Sequence, residues 1–105
     1  MKKMVWISYD LGVRGDYEGL YAWLDNHNAK ECGNSIAVLQ YEHVKDLVDE
    51  LQKDLAESVS LAKHDRIYVV WLQDRKIRGK FLFGKRKAAP WSGYGFQEPQ
   101  VDEEG

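Results

Sequence analysis

A chain of 105 residues is long enough for one hydrophobic core and too short for two, so the sequence predicts a single domain over 1–90. With 44% hydrophobic and 30% charged residues it has a globular composition, and no apolar run approaches the roughly 20 residues a spanning helix needs, so no membrane partner is expected. The net charge of -2 excludes a coat protein that covers nucleic acid with a uniformly basic surface.

Met4 to Asp10 is the first predicted element, a strand apolar on both faces, with Val5, Ile7 and Tyr9 alternating with Met4, Trp6 and Ser8. It ends in a carboxylate, Asp10, beside a loop framed by Gly12 and Gly15. The two lysines before it, followed by an apolar run that stops at Asp10 without a small-residue cleavage site, do not read as a secretory signal. Asp16 then caps a helix carrying Tyr17, Leu20, Tyr21 and Leu24 at helical spacing to about His27. Gly19 weakens that helix and gives room for close packing on the sheet. Ala29 to Leu39 predicts a hairpin turning at Gly33-Asn34, with Ser35 to Leu39 as its second strand. Residues 43–62 predict the strongest helix, with Val44, Leu47, Val48, Leu51, Leu55 and Val59 on one stripe. Arg66 to Leu72 is a second doubly apolar strand. Arg75 to Lys87 forms a basic strand or hairpin with Gly79 and Gly84 as bends. The aromatic and acidic end, 91–105, reads as a flexible tail, disordered over Gln97 to Gly105.

Strand, helix, strand, strand, helix, strand in this order predicts an α+β, ferredoxin-like β-α-β-β-α-β sandwich with an extra C-terminal basic strand or hairpin. Both helices cover one sheet face. The first strand and the 66–72 strand are apolar on the other face too, so that open face predicts a homodimer through the sheet, or a cover by the folded-back tail.

Charge is segregated along the chain. Residues 1–74 carry 13 acids against 8 bases, Arg75 to Lys87 carries seven bases and no acid, and the last 18 residues carry four acids and no base. Arg75, Lys76, Arg78, Lys80, Lys85, Arg86 and Lys87 are therefore the candidate nucleic-acid contacts, with Phe81, Phe83 or Trp91 available to stack on unpaired bases. Two other readings stay open: lysines protecting a sheet edge, and a basic patch covered by the acidic tail.

The run "VWISYDLG", a short loop, an amphipathic helix and "ECGNSIAVL" resembles the small CRISPR-associated nuclease-like subunit superfamily of spacer-integration machinery. Relatives of that superfamily include the virulence-associated protein D ribonucleases, and the likeness is strongest to short SinR-like proteins that open with SYDL. It covers roughly residues 4–72. The resemblance implies a ferredoxin-like dimer that brings two Asp10 carboxylates together, in some members around Mg²⁺ or Mn²⁺, with no organic cofactor. It implies a metal-dependent RNA or DNA endonuclease, or a toxin–antitoxin or defence component, with Asp10 as catalytic and metal-binding residue. Arg14 is what remains here of the family's basic cluster after the aspartate, and Asp16 and Glu18 follow it closely. A non-catalytic homodimeric interaction module is the alternative. In that case Asp10 accepts hydrogen bonds from the loop Leu11 to Gly15 and only fixes the turn.

His27, His43 and His64 lie at helix ends without metal-site spacing, and Cys32 stands alone, which excludes an internal disulfide and fits a reducing cytoplasm.

Overall fold

The computed structural model describes residues 1–95. It is an α+β arrangement of β1 (Lys2–Asp10), α1 (Tyr17–Asn26), β2 (Lys30–Gly33), β3 (Ile36–Glu42), α2 (Leu47–Ser58), β4 (Arg66–Gln73) and β5 (Lys76–Phe83). The five strands make one antiparallel sheet in the order β2-β3-β1-β4-β5. Among the described residues no helix is long and apolar enough to cross a membrane.

Strand alternation divides the sheet into two unlike faces. Val5 and Ile7 of β1, Ala37, Leu39 and Tyr41 of β3, and Ile67, Val69 and Trp71 of β4 are buried under the helices. α1 meets them with Leu20, Trp23 and Leu24, and α2 with Leu47, Leu51 and Leu55, all in one core. Each fully buried aliphatic side chain contributes roughly 1.5–3 kcal/mol. The stripe on α1 is turned relative to the sequence expectation: Trp23 is buried, whereas Tyr21 is half-exposed and packs edge-on against Tyr9.

Local hydrogen bonds explain where the elements begin and end. α2 starts later than the predicted 43 because Asp46 caps it, accepting from Asp49 N at 2.9 Å, and Glu50 collects the amides of Val44, Lys45 and Asp46; it ends at Ser58, before the predicted 62, where Val59 turns to extended backbone. Val44 thereby leaves the apolar stripe and is exposed. Asp16 caps α1 by accepting from Gly19 N, and its second oxygen accepts from Ser60 N at 2.8 Å. A Cβ on Gly19 would collide with Asp16 and lie 2.9 Å from Ser58 O, so this glycine serves the contact with the end of α2 and not, as predicted, the sheet.

The turns also differ from their expected places. The β2–β3 turn falls at Asn34 and Ser35, one residue later than predicted, with Ser35 at φ 61°. β3 runs on to Glu42 because its ladder with β1 extends from Ser8↔Ile36 to Lys2↔Glu42. β4 and β5 join through Asp74 and Arg75, both at positive φ, the backbone of a tight hairpin turn that ordinarily uses Asn or Gly. Gly79 is not a bend: it sits mid-strand under the Tyr68 ring, where a Cβ would collide with the phenol. Gly84, at φ 80°, ends the strand against Asp65 O. Beyond β5, Trp91 and Tyr94 stand exposed on two successive turns. The predicted disorder of Gln97 to Gly105 lies outside the described residues.

The caps set the acid limit of stability. Amides of Ser60 and Gly19 hold the Asp16 carboxyl below its ordinary range, and those of Val44 and Lys45 do the same for Glu50. A depressed folded-state pKa stabilises the fold above the unfolded value and loses that contribution as pH falls through the folded value. Urea midpoints are therefore expected to hold from pH 7 to about 5 and to fall below about pH 4. An Asp16→Asn, Glu50→Gln double variant should be less stable at pH 7 and show a shallower acid decline.

Candidate functional site

Asp10 reaches its position through strand pairing. β1 and β4 run antiparallel with Trp6↔Val70, Ser8↔Tyr68 and Asp10↔Arg66 as directly opposed pairs. Residues opposed in this way project from the same face, so the Asp10 carboxylate and the Arg66 guanidinium meet on the open side of the sheet. Arg66 Nη2 donates to Asp10 Oδ2 at 2.8 Å. With Asp10 more than half exposed, this pair contributes no more than about 1 kcal/mol to stability.

Around the pair lies a pocket of about 350 Å³ lined by Ser8, Asp10, Arg66, Tyr68, Phe81 and Arg86. Phe81 pairs with Tyr68 across the β4–β5 ladder, and their rings meet edge to face at 4.7 Å. Gly79 leaves the space the Tyr68 ring occupies. Arg86, from the segment after β5, holds its guanidinium carbon 5.9 Å from the centre of the Phe81 ring. Arg66 Nε is buried without an acceptor.

One chain does not by itself build a cation centre here. Asp10 is the sole carboxylate of the pocket, and one of its oxygens already accepts from Arg66. Mg²⁺ demands six oxygen ligands in near-octahedral geometry, some of them water. Among the described residues no group of three or more His, Cys, Asp or Glu is arranged to hold a metal ion.

The turn-fixing role considered for Asp10 belongs to a different residue. Asp65 is buried, and its two oxygens accept from Gly12 N at 3.0 Å and from Ala62 N at 2.7 Å. It thereby ties the loop after β1 to the loop before β4. In the sequence it reads only as part of the polar run Lys63-His64-Asp65 that follows the helix predicted over 43–62.

The basic residues divide between places. Lys76, Arg78 and Lys80 oppose Gln73, Trp71 and Val69, so they alternate along the helix-side face of β5, away from Asp10. Lys80 borders a groove of about 550 Å³ that also touches Lys3, His43, Lys45, Asp49 and Gln73. Arg75 sits in the β4–β5 turn, and Lys85 and Lys87 flank Arg86 beyond the strand. Arg14 is exposed in the Gly12–Gly15 turn and does not line the Asp10 pocket. Of the three aromatics proposed to stack, Phe81 lines the pocket, Phe83 packs against the core and Trp91 is exposed.

The other candidates have structural partners. His27 Nδ1 donates to Trp23 O at 2.8 Å, and its ring lies 4.0 Å from the Trp23 ring. Tyr41 donates to Asp54 Oδ2, and burial, with that carboxylate, pushes its phenol pKa up. His43 is buried ahead of α2, not at the surface, and His64 and Cys32 are exposed. No protein-family model, curated protein or solved structure matches this chain.

The two aspartates are expected to separate under mutation. Asp10→Asn should change the unfolding free energy by less than about 1 kcal/mol, because it loses an exposed pair. Asp65→Ala should cost about 2–4 kcal/mol, because it strips two amides of a buried acceptor. Urea denaturation of both variants measures the difference.

Proposed function

We propose that this chain is a nucleic-acid-associated protein with a ferredoxin-like arrangement, of the CRISPR nuclease-subunit-like superfamily that its SYDLG motif resembles. The observation that carries the nucleic-acid reading is the state of seven cations on β5 and its flanks. Arg75, Lys76, Arg78, Lys80, Lys85, Arg86 and Lys87 are all exposed, and among the described residues none is within 4.0 Å of a carboxylate. Three of them, Lys76, Arg78 and Lys80, line one face of the strand, where unpaired cations repel one another and attract a polyanion. Phosphate groups supply that charge and release counterions on binding. The ferredoxin-like reading is supported by β1 lying between β3 and β4 with β2 outside β3, β5 being an addition at the edge beside β4.

The expected result is binding of a single-stranded oligonucleotide at low salt that weakens steeply as salt rises, with Arg78→Glu, Lys80→Glu reducing both affinity and salt slope. No binding at low salt would sink the reading. The same samples test the enzyme that the resemblance implies: cleavage dependent on Mg²⁺ or Mn²⁺ and lost in Asp10→Ala assigns it, and intact oligonucleotide with either ion refutes it.

The open face favours a second reading, a non-catalytic homodimeric interaction module. Met4, Leu72 and Ile77 are 46%, 53% and 80% exposed there, and Trp6, Val70, Trp71, Leu72 and Ile77 line a wholly apolar cleft of about 330 Å³. A second copy laid on this face would remove that surface from water. Sedimentation should then give the mass of two chains, and Leu72→Glu, Ile77→Glu should return it to one. A single-chain mass for the unmodified protein at high concentration rules the dimer out.

A further inference from the structure

We infer that the pocket bounded by Asp10, Arg66, Tyr68, Phe81 and Arg86 binds one unpaired nucleotide and favours guanine. The inference rests on the nucleic-acid reading and names what part of such a strand this face of the sheet takes.

At about 350 Å³ the pocket falls in the range of small-molecule sites, roughly 300–1,000 Å³. Three kinds of chemistry meet in it. Arg86 is exposed and has no acidic partner among the described residues, so its guanidinium is the cation free to take a phosphate. Tyr68 and Phe81, locked edge to face, form an apolar wall against which a base can lie. Asp10 supplies the acceptor. Arg66 occupies one position on Oδ2, while a carboxylate offers about four lone-pair sites, so acceptor capacity remains on both oxygens.

That set discriminates among ligands. Guanine presents two adjacent donors, N1–H and the N2 amino group, on its Watson–Crick edge, and a carboxylate accepts such a pair in parallel. Uracil offers one donor flanked by two carbonyls, which face the carboxylate unfavourably. Free phosphate has the right charge for Arg86, but its P–OH groups do not reproduce the parallel pair of N–H donors at Asp10, and it has no ring to lie against Tyr68 and Phe81. A nucleotide places donors at Asp10 and negative charge at Arg86 together. Arg66 serves as a positioning residue that fixes the carboxylate.

The test is an NMR titration of the full chain at low salt with 5′-GMP, 5′-UMP and inorganic phosphate. GMP should shift the signals of Ser8, Tyr68 and Phe81 and bind about tenfold more tightly than UMP or phosphate. Arg86→Ala should weaken GMP more than Lys87→Ala, which removes the same charge outside the pocket. Asp10→Asn should erase the preference for GMP over UMP while the spectrum stays that of a folded protein. Equal binding of GMP and phosphate, or GMP binding unchanged in Arg86→Ala, overturns the inference. Oligonucleotide binding without GMP binding refutes this pocket and leaves the nucleic-acid reading standing. GMP binding without oligonucleotide binding does the reverse.

Discussion

The pairing register of β1 with β4 is the constraint on which the rest of this structure depends. β1 is hydrogen-bonded on both sides, to β3 and to β4, so its alternation decides what each face of the sheet carries. A slip of one residue would send Val5 and Ile7 out of the core and turn Asp10 toward the helices. In the register observed, Val5 opposes Trp71 and Ile7 opposes Val69 under the helices, while Ser8 and Asp10 oppose Tyr68 and Arg66 on the open side. Core burial and the Asp10–Arg66 pair are consequences of one alignment.

That alignment also separates two aspartates of opposite character. Asp65 is buried and saturated by backbone amides, and it holds two loops in place. Asp10 is exposed, has one guanidinium partner and retains acceptor capacity beside a cation and an aromatic wall. The Asp10 carboxylate thus contributes little to stability and lies in a pocket with Arg86, Tyr68 and Phe81. β5 extends this contrast to cations. Its alternation sends Lys76, Arg78 and Lys80 to the helix side and Ile77 and Phe81 to the open side, so one strand carries cations on one face and apolar side chains on the other.

Much of this was legible beforehand for stated reasons. The double apolarity of β1 and β4, the Asp16 cap and the stripe of Leu47, Leu51 and Leu55 are local patterns, and local patterns survive folding. The errors have physical causes too. Val44 follows the helical stripe in sequence, but the Glu50 carboxylate captures its amide and starts α2 three residues later. Asp74 and Arg75 form a tight turn without a glycine, which residue preference alone does not signal. Gly79 looks like a bend until the Tyr68 ring is seen to need its missing side chain.

The sequence by itself determined the α+β class, the two helices, the apolar strands, the charge segregation and Asp10 at the rim, since each rests on periodicity or on composition over a short window. Only the tertiary structure decided what Asp10 faces. Arg66 lies 56 residues away, Arg86 farther still, and Asp65 takes over the turn-fixing role through an amide 53 residues distant. Such partners are chosen by strand order and register. These depend on the packing of the whole sheet against both helices, and no local pattern in the chain encodes them.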